Sequence, residues 1–172
     1  RYATAGLEPV GHAVDEKSSG TSRSAVSRRF VAMTETALAD LLATDLSGLT
    51  LAAIMIDGVY FADTLCVVAL GIDTTGVKHP LGVVAGCTEN TTTVTDLLTG
   101  LRERGLDTTK AVLAVLDGAK AIAAAVRAVF DHPVIQRCQE HKLRNVKAYV
   151  PKRMRNEVEK RMRAAYRAPT AL

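Results

Sequence analysis

Two apolar runs of strand length each end in Asp-Gly, and this repeated pattern is the strongest constraint on the fold. The first run is TLAAIMIDG, from Thr50 to Gly58, and the second is AVLAVLDG, from Ala111 to Gly118. Apolar runs without a polar face predict strands that are buried on both sides. Two such strands that end at one edge of a sheet would bring Asp57 and Asp117 close together.

Paired carboxylates at a sheet edge suggest a metal site and a chemistry. Carboxylate oxygens are hard ligands suited to Mg²⁺ or Mn²⁺. Two such ions can activate a water or hydroxyl and stabilise the leaving oxygen of a phosphodiester. Asp57 and Asp117 are therefore candidate metal ligands for phosphoryl transfer. Asp-Gly is also a frequent turn dipeptide, so a purely structural role for either aspartate stays open.

The apolar spacing predicts a mixed α/β domain. Three strands separated by turns over residues 58–63 and 73–79 are expected to form an antiparallel meander. Helices and parallel strands then alternate, giving the order βββαβαβ with the first and fourth strands as neighbours at the sheet centre. The predicted elements are Leu51–Ile56, Thr64–Ile72, Pro80–Gly86, helix Thr91–Arg104, Val112–Leu116, helix Gly118–Phe130 and Pro133–Arg137. The apolar residues at helical spacing are Val94, Leu97, Leu98 and Leu101 in the first helix and Ile122, Ala125, Val126 and Val129 in the second. Helices interrupted by Pro151 follow from Gln139.

A short basic helix is predicted near the start of the chain. The segment GTSRSAVSRRF, from Gly20 to Phe30, has a turn glycine followed by hydroxyl and arginine residues. It would suit the second helix of a helix-turn-helix, in which such side chains reach phosphates or base edges. The candidate DNA contacts are Ser24, Ser27, Arg28 and Arg29. The alternative is a capped surface helix. Helical spacing continues over Val31–Ser47, with an apolar face formed by Ala37, Leu38, Leu41, Leu42 and Leu46.

Positive charge is concentrated at the end of the chain. Of the 22 Lys and Arg residues, 11 fall within residues 137–172, against the three acids Glu140, Glu157 and Glu159. This asymmetry favours a polyanionic partner. The candidate phosphate contacts are Arg137, Lys142, Arg144 and Lys147, which follow the last predicted strand. The alternative is an ordinary solvated helix face.

The cysteines predict a reduced protein. Cys66, Cys87 and Cys138 are odd in number and lack framework spacing, which indicates a reducing cytoplasm. Cys138 and His141 have the spacing of half a zinc site, but no second pair accompanies them. The other interpretation is a small thiol and a histidine that bonds near the carboxylates. No apolar run approaches the ~18 residues of a membrane span, so we expect a cytoplasmic protein without a membrane partner.

With these residues placed, the sequence resembles the Mutator-like family of bacterial insertion-sequence transposases. The most specific run is VFDHPVIQRCQEHKLRNVK, from Val129 to Lys147, and MIDG, VALGID, TENTTTVTDLL, LRERGL and VLDGAKA add to it. The resemblance implies an RNase H-like domain with an Asp, Asp, Glu triad and two Mg²⁺ ions. Asp57 and Asp117 match the first two acids, and Cys138 with His141 matches the family's Cys-x-x-His signature.

The resemblance also implies partners and a domain layout. We expect double-stranded DNA as the partner, both as terminal inverted repeats and as target, and a homo-oligomer in the active complex. Residues 1–48 would form a loop and a helix-turn-helix-like segment, residues 49–150 a partial RNase H-like domain, and residues 151–172 the start of a helical insertion.

One departure from the family pattern concerns the third acid, a Glu that should follow the helical insertion. The chain opens on Arg1 and ends at Leu172, inside that insertion, so we expect a fragment that binds DNA but does not transpose. Two alternatives remain. The chain could be an inactive DNA-binding remnant or regulator, or an unrelated RNase H-like nuclease that cleaves RNA·DNA hybrids.

Overall fold

The computed structural model describes residues 23–61, 63–86, 88 and 90–169. The described residues divide into two units, residues 23–44 and residues 45–169. Helix α1, Arg23–Ala43, is the described element of the first unit. Gly20, Cys87 and Glu89, on which parts of the sequence interpretation depend, lie outside the described residues. In the described part of the chain, no helix is both long and apolar enough to cross a bilayer.

Helix α1 is continuous through the junction between the two predicted helical segments, but it ends earlier than expected. It stops at Ala43 rather than Ser47. Asp45 explains the difference, because its carboxylate accepts hydrogen bonds from the backbone N–H and the hydroxyl of Ser47, at 2.9 and 3.0 Å. Such local bonds compete with helical ones. Leu46 was wrongly placed on the apolar face of this helix: it is buried in the second unit, and its N–H donates to the Arg104 carbonyl.

The second unit is built on one five-stranded mixed sheet. The strands lie in the order β3-β2-β1-β4-β5, so the predicted α/β class and the order βββαβαβ are confirmed. Strand β1 pairs antiparallel with β2 and parallel with β4, which makes the first and fourth strands central neighbours as expected. The strands are β1 Leu51–Phe61, β2 Thr64–Asp73, β3 Lys78–Ala85, β4 Val112–Leu116 and β5 Pro133–Arg137.

Strand β1 is longer than predicted. It does not stop at Ile56 but continues through Asp57 to Phe61, paired throughout with β2. The predicted turn over residues 58–63 is therefore wrong, and the bend of the hairpin is confined between Phe61 and Thr64. Val59, Tyr60 and Phe61 favour extended backbone, which outweighs the turn signal of Asp-Gly.

The β2–β3 turn depends on Asp73. Its Oδ1 accepts hydrogen bonds from the N–H groups of Thr75 and Val77, at 2.8 and 3.0 Å, so the predicted turn role is confirmed. The pKa of Asp73 lies far below its usual range, mainly because the Thr75 hydroxyl donates a hydrogen bond to its carboxylate. The second cause is His79, which lies 2.8 Å from Oδ2. His79 itself was expected in a turn, but it lies in β3 opposite Gly71 because β3 begins at Lys78.

Two helices, α2 (Thr91–Glu103) and α3 (Lys120–Val129), contribute to the buried core together with the sheet. Ile54, Ile56, Ala114 and Leu116 contribute the central strand positions of that core, at 0–1% exposure. The inward faces of both helices are those predicted from apolar spacing. The buried helix residues are Val94, Leu97, Leu98, Leu101, Ile122, Ala125, Val126 and Val129. After β5, helices α4 (Gln139–Tyr149) and α5 (Arg155–Tyr166) are separated at Pro151, as expected.

Helix α2 ends in a glycine-dependent cap. Gly105 has φ +94°, its N–H donates to the Arg102 carbonyl at 2.9 Å, and the Leu106 N–H reaches back to Leu101 at 3.1 Å. This pair of bonds is a Schellman motif, in which a left-handed residue satisfies the last helical carbonyls. A Cβ on Gly105 would lie 2.9 Å from the Ser47 Cβ and 3.0 Å from its backbone nitrogen. Gly105 thus sets how the segment before β1 approaches α2.

We predict that Gly105→Ala lowers the free energy of unfolding by about 1–3 kcal/mol, since it combines a left-handed backbone with a close approach to Ser47. Gly100→Ala is the matched control. Gly100 lies inside α2 with no atom within 4 Å of an added Cβ, so its substitution should stabilise the protein by about 0.5–1 kcal/mol. Urea denaturation of both variants measures the difference. Equal effects of the same sign would contradict the role given to Gly105.

Candidate active site

The two predicted aspartates lie at corresponding positions on adjacent parallel strands. Ile56 and Leu116 are the last registered pair between β1 and β4. Asp57 is the next residue of β1, Asp117 directly follows the last residue of β4, and neighbouring strands lie about 4.8 Å apart. The structure therefore brings the two aspartates together, as the sequence predicted. Their catalytic role remains a prediction.

Each carboxylate has one oxygen fixed by a backbone N–H. Asp57 Oδ1 accepts from Gly58 at 2.9 Å, and Asp117 Oδ1 accepts from Ala119 at 2.7 Å. Within the described residues, Oδ2 of neither aspartate accepts a hydrogen bond. The Asp57 side chain is 47% exposed, so a solvated ion can reach it. Both groups are thus oriented and still have an oxygen available.

The donor set fits a hard divalent cation in part. Two carboxylates with one available oxygen each suit Mg²⁺ or Mn²⁺, which prefer oxygen ligands and retain several waters. Among the described residues, no group of three or more His, Cys, Asp and Glu side chains is arranged to hold a metal ion. The aspartate pair can therefore supply two ligands, and waters or a substrate phosphate can complete the coordination.

Cys138 connects the end of β4 to helix α4 through its backbone. Its N–H donates to the Leu116 carbonyl at 2.7 Å, and its own carbonyl accepts from the Lys142 N–H at 2.9 Å. Helix α4 thus starts directly beside the residue that precedes Asp117. The Cys138 thiol is free and half-buried, so this residue contributes to the site through main-chain bonds.

His141 lies in the first turn of α4 and approaches Asp57. Its Nε2 is 3.5 Å from Asp57 Oδ1, as expected for a histidine near the carboxylates. The side chain is 20% exposed, and its Nδ1 is buried without a hydrogen-bond partner in the described structure. The two residues of the Cys-x-x-His signature therefore have different roles. The Cys138 backbone fixes the start of α4, and the His141 side chain contacts Asp57.

Arg137, at the end of β5, packs over Gly118. A Cβ on Gly118 would lie 2.7 Å from Arg137 Nε, and Gly118 has φ +104°. With its amide oxygen turned towards Arg137, Asn145 accepts a bond from Nη2 at 2.6 Å and donates to the His141 carbonyl at 3.3 Å. The guanidinium is thereby held immediately beyond Asp117. The sequence interpretation missed Asn145, although it stands in the specific run HKLRNV.

The other basic residues predicted to contact phosphate differ in whether they already form ion pairs with acids. Lys147 forms an ion pair with Glu159, and Arg163 bridges Glu159 and Glu140 at 3.0 and 2.8 Å. These cations hold the pKa values of both glutamates below their usual range: Arg163 acts on Glu140, and Lys147 followed by Arg163 acts on Glu159. Two of the 11 basic residues at the end of the chain, Lys147 and Arg163, therefore join α4 to α5.

Lys142 and Arg144 are exposed and take part in none of the ion pairs formed in the described part of the chain. They remain candidates for phosphate contact. In α1, Ser24, Ser27 and Arg28 are exposed and Arg29 is partly buried, which leaves their predicted contact with DNA as a hypothesis.

The chain belongs to a known family of enzymes. Residues 16–171 match the family model "Transposase, Mutator family", so the chain is a member of that family, as the resemblance implied. It is 30% identical over 114 residues to a probable insertion-sequence transposase of Corynebacterium diphtheriae, covering 66% of this chain and 33% of that protein. It is 36% identical over 116 residues to the transposase for IS6120 of Mycolicibacterium smegmatis, covering 64% and 35%.

A further relative is the transposase for IS256 in transposon Tn4001 of Staphylococcus aureus, which is 35% identical over 88 residues and is matched over 51% of this chain and 22% of its own length. The chain thus spans about a third or less of these curated relatives. Among solved structures, the catalytic core domain of BIV integrase is similar at a TM-score of 0.34 and 15% identity, over 70% of this chain and 75% of that one. A similarity this low supports no inference by itself.

We predict that Gly118→Ala lowers the free energy of unfolding by about 1–3 kcal/mol, because alanine is strained at positive φ and its Cβ would displace Arg137. The same substitution in an Arg137→Ala background should cost less, since only the backbone strain remains. Urea unfolding of the two single variants and the double variant measures this coupling. Additive effects would show that the guanidinium does not pack on Gly118.

Proposed function

We propose that this chain supplies the carboxylate-bearing part of a DNA transposase, which cleaves and transfers DNA strands at insertion-sequence ends with a divalent metal. The observation that carries the proposal is the placement of Asp57 and Asp117 one residue beyond the last registered pair of β1 and β4. Membership of the Mutator family supports the reaction class. The partners would be double-stranded DNA, as terminal repeats and as target, and further copies of the protein.

The two aspartates would hold Mg²⁺ or Mn²⁺ through their available oxygens. When bound, such an ion supplies positive charge that polarises a phosphodiester and lowers the pKa of a bound water. The backbone N–H groups of Gly58 and Ala119 fix one oxygen of each carboxylate, so the other oxygens are oriented before the ion arrives. His141 restrains Asp57 from the α4 side. Arg137 would place a fixed positive charge where a DNA phosphate approaches Asp117.

A second candidate function is DNA binding without chemistry, as in a regulator. The specific observation in its favour is that the described residues contain no group of three or more metal-ligating side chains. Substitution of the aspartates distinguishes the two functions, because strand cleavage needs both carboxylates and duplex binding by basic residues needs neither.

We predict that Asp57→Asn and Asp117→Asn each weaken Mn²⁺ binding more than about tenfold, since each removes a charged ligand. Both should also abolish metal-dependent nicking of supercoiled DNA where the unsubstituted protein shows it, and both should leave duplex affinity within about twofold. Titration calorimetry, plasmid nicking and fluorescence anisotropy measure the three quantities.

The matched control is Asp63→Asn, which removes an exposed carboxylate beside the β1–β2 bend. It should leave metal binding, nicking and duplex affinity unchanged. Mn²⁺ affinity that is insensitive to both Asp57→Asn and Asp117→Asn would overturn the metal-site proposal. Salt-dependent duplex binding with no metal effect on any readout would support the regulator.

A further inference from the structure

A cavity of about 290 Å³ opens one residue beyond Asp117, between α3 and β5. Leu116, Ala123 and Ile135 contribute its apolar wall. Its charged lining consists of Lys120, Arg127 and Arg137, and none of the described residues that line it is acidic. Three cations therefore border one concave surface next to the candidate active site.

No carboxylate of the described residues forms an ion pair with Lys120, Arg127 or Arg137. Arg127 donates to the Ala123 carbonyl at 3.4 Å, and Arg137 is held by Asn145. These neutral acceptors orient the guanidinium groups and leave their charge intact. The α4–α5 region differs, because Lys147 and Arg163 there are paired with glutamates.

The geometry of α3 explains why Lys120 and Arg127 border the same cavity. Lys120 and Arg127 are seven positions apart in α3, which is two turns, so they lie on the same helix face, with Ala123 between them. Alanine at this position leaves space between the two cations. Arg137 borders the same space from β5, where its guanidinium packs against Gly118.

We propose that this cavity binds a backbone phosphate of the DNA strand that lies at Asp57 and Asp117, with Lys120 and Arg127 as contacts and Arg137 as the group nearest the aspartates. Guanidinium and ammonium groups around this surface match the charge and the hydrogen-bond acceptors of a phosphodiester. The inference rests on the proposed function for the position of the strand. Lys120 and Arg127, which the sequence did not single out, would form this phosphate site beside the aspartates.

The test measures binding of this chain to a fluorescein-labelled duplex of roughly 20 bp, by anisotropy from about 50 to about 200 mM NaCl. EDTA is present throughout, so that metal-bridged binding does not contribute. The Lys120→Gln/Arg127→Gln double variant should reduce the magnitude of the slope of log affinity against log salt by about 1, because the two cations contact one phosphate. The charge-preserving Lys120→Arg/Arg127→Lys variant should retain the slope, which separates a charge effect from misfolding.

The matched control is Arg153→Gln/Lys160→Gln, which removes the same net charge from exposed positions outside the cavity. Its slope should change by less than about 0.5. An equal loss in both glutamine variants would mean that only net charge matters, and the proposal would be wrong. Absence of measurable duplex binding by the unsubstituted chain at low salt would also contradict it.

Pyrophosphate, measured by titration calorimetry, distinguishes the source of the phosphate. If pyrophosphate binding depends on Lys120 and Arg127 but duplex binding does not, the cavity serves a free phosphate compound and the DNA assignment fails. Since the duplex assay contains no metal, its outcome is independent of the aspartate experiments. Normal duplex binding by the glutamine variant, together with metal binding that depends on both aspartates, would therefore refute this inference alone.

Discussion

Ile56 and Leu116 are the last registered pair of two parallel strands, and the candidate site begins at the next residue of each. Both side chains are buried, at about 1% exposure, so the core itself fixes this register. A shift of one residue would turn every apolar side chain of the strand to the opposite face. The relative position of Asp57 and Asp117 therefore follows from packing in the core rather than from any bond between the aspartates.

The sequence was sufficient for most of the fold because its apolar periods are clear. Strands β4 and β5 begin and end at the predicted residues, and the inward faces of α2 and α3 are the predicted ones. The end of β1 was missed for a physical reason. Asp-Gly is a turn signal when judged locally, but pairing with β2 supplies hydrogen bonds that keep residues 57–61 extended. Whether the turn or the strand forms depends on pairing with β2, and the local spacing of residues carries no information about that pairing.

The placement of the two aspartates and of His141 could be predicted, whereas their function remains a prediction. Strand order and chain direction are enough to bring Asp57 and Asp117 to one edge, and the start of α4 brings His141 to Asp57. Charge compensation was not predictable in the same way. Which basic residues pair with acids depends on how α4 and α5 meet, so the Lys147–Glu159 pair was not visible in the sequence. Lys120 and Arg127 carried a usable signal in their spacing of seven, but α3 was interpreted only for its apolar face.

The two aspartates differ in the number of strands that flank their backbone. Asp117 stands between a strand paired on both sides and a glycine turn that leads into α3. Asp57 stands where β1 loses β4 and keeps only β2, and the hairpin beyond it ends in the exposed side chains of Tyr60 and Phe61. A force applied at the hairpin tip would bend β1 just after Ile56, where its pairing with β4 ends. Such bending would change the distance between the two carboxylates while the position of Asp117 stays fixed.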